Sequence, residues 1–380
     1  MSHPSSLPTV ELARVAGAFQ LHGRFVEGAP YGSGHINDTF VISMNQAGRT
    51  VRYLFQRINH RIFKDVPALM ENIQRVTDHA ARGAEKGGGD SRSVLTLVRA
   101  RDGAAWHRDQ HGAFWRCYLF IENARTYDLV GNSRQAFEAA RAFGEFQRML
   151  VDLPGARLHE TIPGFHDTRA RLALLKRAVA ADRAGRVRSV QKEIDFALAR
   201  EPVAGVILDL MARGEMPERI THNDTKFNNV MLDDATSHAV CVIDLDTVMP
   251  GSALYDFGDM VRSATNAAAE DERDVAKVAM RMEIYEGLVA GYAASAGSFL
   301  NAAERAHLAF AGKLITYEIG LRFLTDHLEG DVYFKTKRPE HNLDRCRTQF
   351  ALVASIERQE AEMQALADRV LKAAAGGGGR

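Results

Sequence analysis

Between Phe25 and about Phe120 the apolar residues come in short runs, at Thr39 to Ile42, Val51 to Ile58, Val94 to Val98 and Phe114 to Ile121, with Gly- and Asp-bearing turns between them. That pattern predicts β-strands. One segment departs from it: Leu69, Ile73, Val76 and Ala80 recur at helical spacing, Pro67 suits a first turn and Gly83 a C-terminal cap, so a helix is predicted over 67–82. Lys86 to Asp90 (KGGGD) reads as a loop. Beyond Asn123 the period changes to 3.6, and long helices are predicted over 135–150, 169–181, 190–213, 271–294 and 302–328. The one clear β signal there is Val230-Met231-Leu232, the turn residues 233–237 and Ala239 to Ile243, a hairpin. The chain thus reads as α+β in two lobes, a strand-rich lobe with one helix (1–121) and a larger, mainly helical lobe (122–372), followed by a loose low-complexity tail, AAAGGGGR (373–380).

Composition narrows the function without naming it. The 380 residues carry 48 basic and 48 acidic side chains and are 46% hydrophobic. A chain this long with that apolar content suits two lobes, and zero net charge leaves no electrostatic footprint for a nucleic acid. Only 10 of the 48 basic residues are Lys, so 38 are Arg. Cys117, Cys241 and Cys346 are odd in number and far apart, which supports neither a disulfide framework nor a zinc site. No leader pattern opens the chain and no run of apolar residues is long enough to span a bilayer, so a cytoplasmic protein without membrane partners is expected.

The chemistry gathers at the hairpin. Thr221-His222-Asn223-Asp224-Thr225-Lys226-Phe227-Asn228-Asn229 leads in and Asp244-Leu245-Asp246 leads out. A hairpin returns its ends to one place, so Asp224, Asn229, Asp244 and Asp246 should converge. Two carboxylates ~4 Å apart repel by about 4 kcal/mol at an effective dielectric of 20, and oxygen donors of this kind suit Mg²⁺. One Asp to accept a hydroxyl proton, with an Asn and a second Asp for metal, is how a phosphoryl-transfer site is built.

His222-Asn223-Asp224 with Asn229, followed by Val242-Ile243-Asp244, resembles the motifs of the aminoglycoside phosphotransferase and choline kinase superfamily, which has a protein-kinase-like fold. More narrowly, Tyr31 to Phe40 (YGSGHINDTF), Phe55 to Asn59 (FQRIN), Asn228 to Leu232, Ile243 to Gly251 (IDLDTVMPG), Tyr255 to Asp259 and Asp331 to Asn342 (DVYFKTKRPEHN) resemble the N-acetylhexosamine 1-kinases. The resemblance implies an ATP- and Mg²⁺-dependent kinase acting on a sugar's anomeric hydroxyl, as a monomer or homodimer. It implies Asp224 as catalytic base and Asn229 and Asp244 as metal ligands, while Asp246, two residues beyond Asp244, is a candidate for a second metal or a hydrogen-bonded loop residue. His222 is expected to brace the loop. Asp256 of the Asp-Phe-Gly triplet lies past the hairpin, so it is expected to anchor backbone rather than hold metal.

For the nucleotide, Gly32-Ser33-Gly34 would let backbone amides approach phosphate, with His35, Asn37 and Asp38 as polar groups beside it. Kinase-like folds place a Lys on the third strand. The strand 51–58 has none, so Arg57 is the candidate, with Gln56 on the opposite face as the alternative. Glu122 falls where the lobes join and is a ribose or adenine contact by position alone. Glu318, Arg322 and Asp326 recur every four residues on one helix face, either as an ion-pair stripe or, with Tyr333, Lys335 and the preceding His166-Asp167, as the acceptor-sugar site. The alternatives are another acceptor (an aminoglycoside, choline, homoserine or other sugar), a silent nucleotide-binding module on the same fold, and a metal-dependent hydrolase.

Overall fold

In a computed structural model, which describes residues 9–32 and 36–377, the chain forms the two lobes. The first begins with helix α1 (Thr9–Gly17), followed by strands β1 (Arg24–Pro30), β2 (Asp38–Gln46) and β3 (Arg49–Ile58), helix α2 (Val66–Lys86), then β4 (Leu97–Val98), β5 (His107–Arg108) and β6 (Phe114–Leu119). The antiparallel sheet has the order β1-β2-β3-β6-β4, with β5 also on β6. Register sets its two faces, because residues opposite one another point the same way and successive residues point oppositely. Asp38, Arg57 and Trp115 stand abreast, as do Phe40, Phe55 and Cys117. Phe40, Phe55, Trp115 and Cys117 pack under Leu12, Val15 and Ala16 of α1. The alternate rank, Thr39, Gln56 and Arg116, faces the cleft between the lobes.

The second lobe runs β7 (Ala124–Arg125), α3 (Ser133–Met149), α4 (Thr168–Ala181), α5 (Gln191–Leu198), α6 (Val206–Ala212), β8 (Arg219–Thr221), β9 (Val230–Asp233), β10 (Ala239–Val242), β11 (Met249–Gly251), α7 (Ala253–Thr265), α8 (Met282–Ala296), α9 (Ala302–Ala306), α10 (Leu308–Glu329) and α11 (His341–Gly377). The hairpin is β9 and β10, with Val230 opposite Val242, and β7 lies on its other side. β8 pairs with β11, Thr221 opposite Met249. These two pairings bring residues 222–229 against 243–248. Gly258 of the Asp-Phe-Gly triplet has a packing reason: a Cβ there would meet the Ala311 carbonyl oxygen at 2.4 Å, so α7 and α10 touch backbone to backbone. Among the described residues no helix is long and apolar enough to cross a membrane.

Several helices differ from the sequence expectation. The segment 190–213 is two helices separated by a tight turn at Glu201–Gly205, where Pro202 removes an amide donor. The predicted 271–294 begins only at Met282, and 302–328 breaks at His307 into α9 and α10. Of the loose tail expected over 373–380, residues 373–377 are instead the end of α11, and 378–380 lie outside the described residues.

Candidate active site

A cavity of about 460 Å³ opens between the lobes. Thr39, Leu54, Gln56, Arg116 and Tyr118 line it from the sheet, Phe120 and Ile121 from the connection, and Asp224, Lys226, Asn228, Asn229, Ile243 and Asp244 from the helical lobe. Its size is that of a small-molecule site.

The loop bearing Asp224 is held from several sides. Asp256, fully buried, accepts hydrogen bonds from the backbone N–H of His222 (2.9 Å) and Asn223 (2.7 Å) and from the Gln147 amide (2.6 Å). Burial pushes its carboxyl up, and those donors with the nearby His222 oppose the rise. His222 sits edge-on to Phe143 and Phe146. Its Nε2 bonds the Ile243 carbonyl (2.9 Å) and its Nδ1 accepts from the Asp224 amide (3.3 Å), so both ring nitrogens brace the loop. Asn223 turns the chain with φ +64°.

Asp224 thereby presents its carboxylate to the cleft, with Lys226 Nζ 3.2 Å from Oδ1 and Asn229 Nδ2 3.3 Å from Oδ2. The Asn229 amide also donates to the Asp224 carbonyl (2.8 Å), which leaves its side-chain oxygen for another partner. Asp244, at φ +62°, opens on the same cavity. Among the described residues its carboxylate has no hydrogen bond or ion pair, and its pKa is raised to about 6 by desolvation in the cleft, then by the charges of Asp246 and Asp224. An unpaired carboxylate crowded by two others, with a free amide oxygen near, is a donor set that fits Mg²⁺. Among the described residues no group of three His, Cys, Asp or Glu forms a metal cluster, and the donors that fit are the Asp244 carboxylate and the Asn229 amide oxygen.

Asp246 does not join that set. Arg116 Nη1 holds its Oδ1, Asn37 donates to Oδ2 at 2.6 Å, and the buried carboxylate does not line the cavity. Of the nucleotide candidates, Gly32 (φ +75°) and Asn37 line the cavity, while Ser33, Gly34 and His35 lie outside the described residues. Arg57 does not line it: register puts Arg57 on the α1 face, paired with Asp38 at 2.6 Å, and turns Gln56 inward instead. Glu122 also turns away, ion-paired with Arg52 at the surface, while its neighbours Phe120 and Ile121 face the cavity.

The acceptor candidates separate. Glu318, fully buried, takes His166 Nδ1 on Oε1 (2.8 Å) and Thr168 on Oε2, and His166 Nε2 touches the Asn223 carbonyl (3.2 Å). Both residues support the Asp224 loop from behind and do not line the cavity. Asp326 accepts from the backbone N–H of Val332, Tyr333 and Phe334 and from Asn342, which occupies it in shaping the 331–334 loop. Arg322, Tyr333 and Asp326 nevertheless share a small pocket of about 130 Å³ with Arg171 and Phe334. The Arg322 guanidinium lies 5.3–5.9 Å from the rings of Phe165, Phe334 and Tyr333 and has no carboxylate partner among the described residues.

Sequence reasoning assigned no role to Lys226 or Arg116. Lys226 was recognisable as one of ten lysines in the chain placed two residues past Asp224. Arg116 carries no local signal, because its neighbours Gln56 and Asp246 are 60 and 130 residues away.

Comparison with solved structures supports the architecture. An aminoglycoside phosphotransferase from Alicyclobacillus acidocaldarius superposes with a TM-score of 0.55 at 16% identity over 96% of each chain. A spectinomycin phosphotransferase, solved with ADP and spectinomycin, gives 0.53 at 11% identity, covering 94% of this chain and 99% of that one. Choline kinase from Cryptosporidium parvum gives 0.51 at 14%, covering 90% and 91%. At such identities the likeness establishes the kinase-like fold. Residues 27–297 match the family model described as the phosphotransferase enzyme family, and with that match spanning both lobes and the Asp224 loop, the chain belongs to that family.

Proposed function

We propose that the protein is an ATP- and Mg²⁺-dependent kinase that phosphorylates the anomeric hydroxyl of an N-acetylhexosamine, giving the sugar 1-phosphate. The observation that carries the phosphotransferase reading is the meeting of Asp224, Asn229 and Asp244, the last without a partner among the described residues, on the wall of a cavity of about 460 Å³. Asp224 receives the acceptor's proton on its carboxylate, and Asn229 and Lys226 keep that carboxylate aimed into the cleft. An anomeric hydroxyl is more acidic than an ordinary alcohol, so a weakly basic carboxylate suffices where positioning supplies most of the acceleration. Asp244 and the Asn229 oxygen would hold Mg²⁺, whose charge offsets that of the nucleotide phosphates.

The acceptor assignment leans on the motif resemblance from Tyr31 to Asn342 and on Arg322. That side chain stands one turn along α10 from Glu318, whose partner His166 touches Asn223. Its unpaired guanidinium donors suit the oxygen of a hydroxyl or acetamido group and offer nothing to a quaternary ammonium. Screening acceptors by ADP release tests the assignment. N-acetylglucosamine or N-acetylgalactosamine is expected to give the highest kcat/KM, and a strong preference for choline or an aminoglycoside overturns the sugar.

A further inference from the structure

Strand β3 supplies no cation to the cleft, since Gln56 occupies its inward position. Of the described residues lining the cavity, Arg116 and Lys226 alone are cationic, and Lys226 is engaged with Asp224. Arg116 stands on β6 directly across from Gln56, so its guanidinium emerges on the sheet face where a β3 cation would project. It is fixed there by three neighbours. Nε donates to Gln56 Oε1 at 2.8 Å, Nη1 holds Asp246, and the Tyr118 ring lies 5.5 Å away. Nη2 has no partner among the described residues. A guanidinium held by Gln56 of its own sheet and by Asp246 of the other lobe, and lining the cavity with its remaining donors, is preorganised for an anion and needs little rearrangement to bind it.

We propose that Arg116 is the phosphate-binding cation of this site, moved from β3 to β6, with Gln56 and Asp246 serving to aim it. The buried Arg116–Asp246 pair then has a use beyond neutralisation: it fixes the fork whose remaining donors meet phosphate oxygens. This rests on the cavity being the nucleotide site.

The test compares binding of ATP, ADP and adenosine by calorimetry, in Mg²⁺, to the full-length protein and its variants. Removing Arg116 alone strands a buried carboxylate, so R116M/D246N is read against D246N, and R116K keeps a cation beside Asp246 in case the double variant fails to fold. Losing a charge-assisted contact should weaken ATP and ADP on the order of 10- to 100-fold in R116M/D246N and leave adenosine within about twofold. R116K should fall between, having the charge without the fork. Adding Q56K to R116M/D246N should recover part of the lost affinity for ATP. An unchanged ratio of ATP to adenosine affinity in both R116M/D246N and R116K overturns the assignment of Arg116. A wild-type protein that binds neither ATP nor adenosine overturns the nucleotide reading itself.

Discussion

At the scale of single residues, the site uses one functional group for opposite ends. Asp224 is touched by Asn229 and Lys226 and keeps its orientation, whereas Asp244 has no partner among the described residues and its pKa is raised to about 6 by desolvation and then by the other carboxylates. Asp224→Asn keeps the size and the polarity but removes the proposed proton acceptor. Turnover is expected to fall by ~10²–10⁴-fold while ADP affinity stays near that of the wild type, measured by ADP release and calorimetry. Near-normal turnover would remove Asp224 from its role. Asp224, Asn229 and Asp244 were legible in the sequence because a hairpin fixes where its ends go. Arg57 was misplaced because Val51 to Ile58 has polar and apolar residues on both faces, and parity is decided only by α1 covering one of them. For Asp246 the sequence left a metal ligand and a hydrogen-bonded residue both open, and the choice could not be read locally because its partners Asn37 and Arg116 come from the other lobe.

At the scale of an element, α10 shows one periodicity serving three purposes. Glu318 supports the Asp224 loop through His166, Arg322 is caged by rings, and Asp326 gathers three backbone amides. The four-residue repeat is visible in the sequence, but the ion-pair stripe it suggests does not form, because each residue is claimed by a segment outside the helix. The buried pair has a pH signature. Burial alone would lower His166 and raise Glu318, yet their attraction prevails, so His166 is held above its ordinary 6.5 and Glu318 below its ordinary 4.5. The stability from a raised His is complete below pH 6.5 and is lost as pH climbs through the raised value; that from Glu318 is complete above pH 4.5 and lost as pH falls through the lowered one. The melting-temperature gap between wild type and H166Q/E318Q is therefore expected to be constant between these two values and to shrink on the alkaline side. A gap unchanged up to pH 9 would mean that His166 is neutral throughout.

At the scale of the whole molecule, three residues of the sheet lobe converge on one short stretch of the other. Asn37 and Arg116 meet Asp246, and Asn72 of α2, fully buried, donates to the carbonyls of Val248 (3.1 Å) and His159 (2.8 Å). The two lobes and the hairpin followed from local periodicity, but these ties join residues far apart in the chain. Because the ties land just beyond Asp244, a ligand held at that carboxylate acts on the junction of both lobes. A ligand bound only by the native state stabilises it by RT ln(1 + [L]/Kd), about 2.7 kcal/mol at 100 Kd, which in a chain of this size raises Tm by a few degrees. ADP with Mg²⁺ is expected to produce that rise in the wild type, and chelating the metal should remove most of it. In Asp244→Asn the metal-dependent part should vanish, leaving a smaller rise that is the same in Mg²⁺ and in EDTA. Should Asp244→Asn respond to Mg²⁺ as the wild type does, the metal is held elsewhere, and the crowding of carboxylates around Asp244 has another purpose.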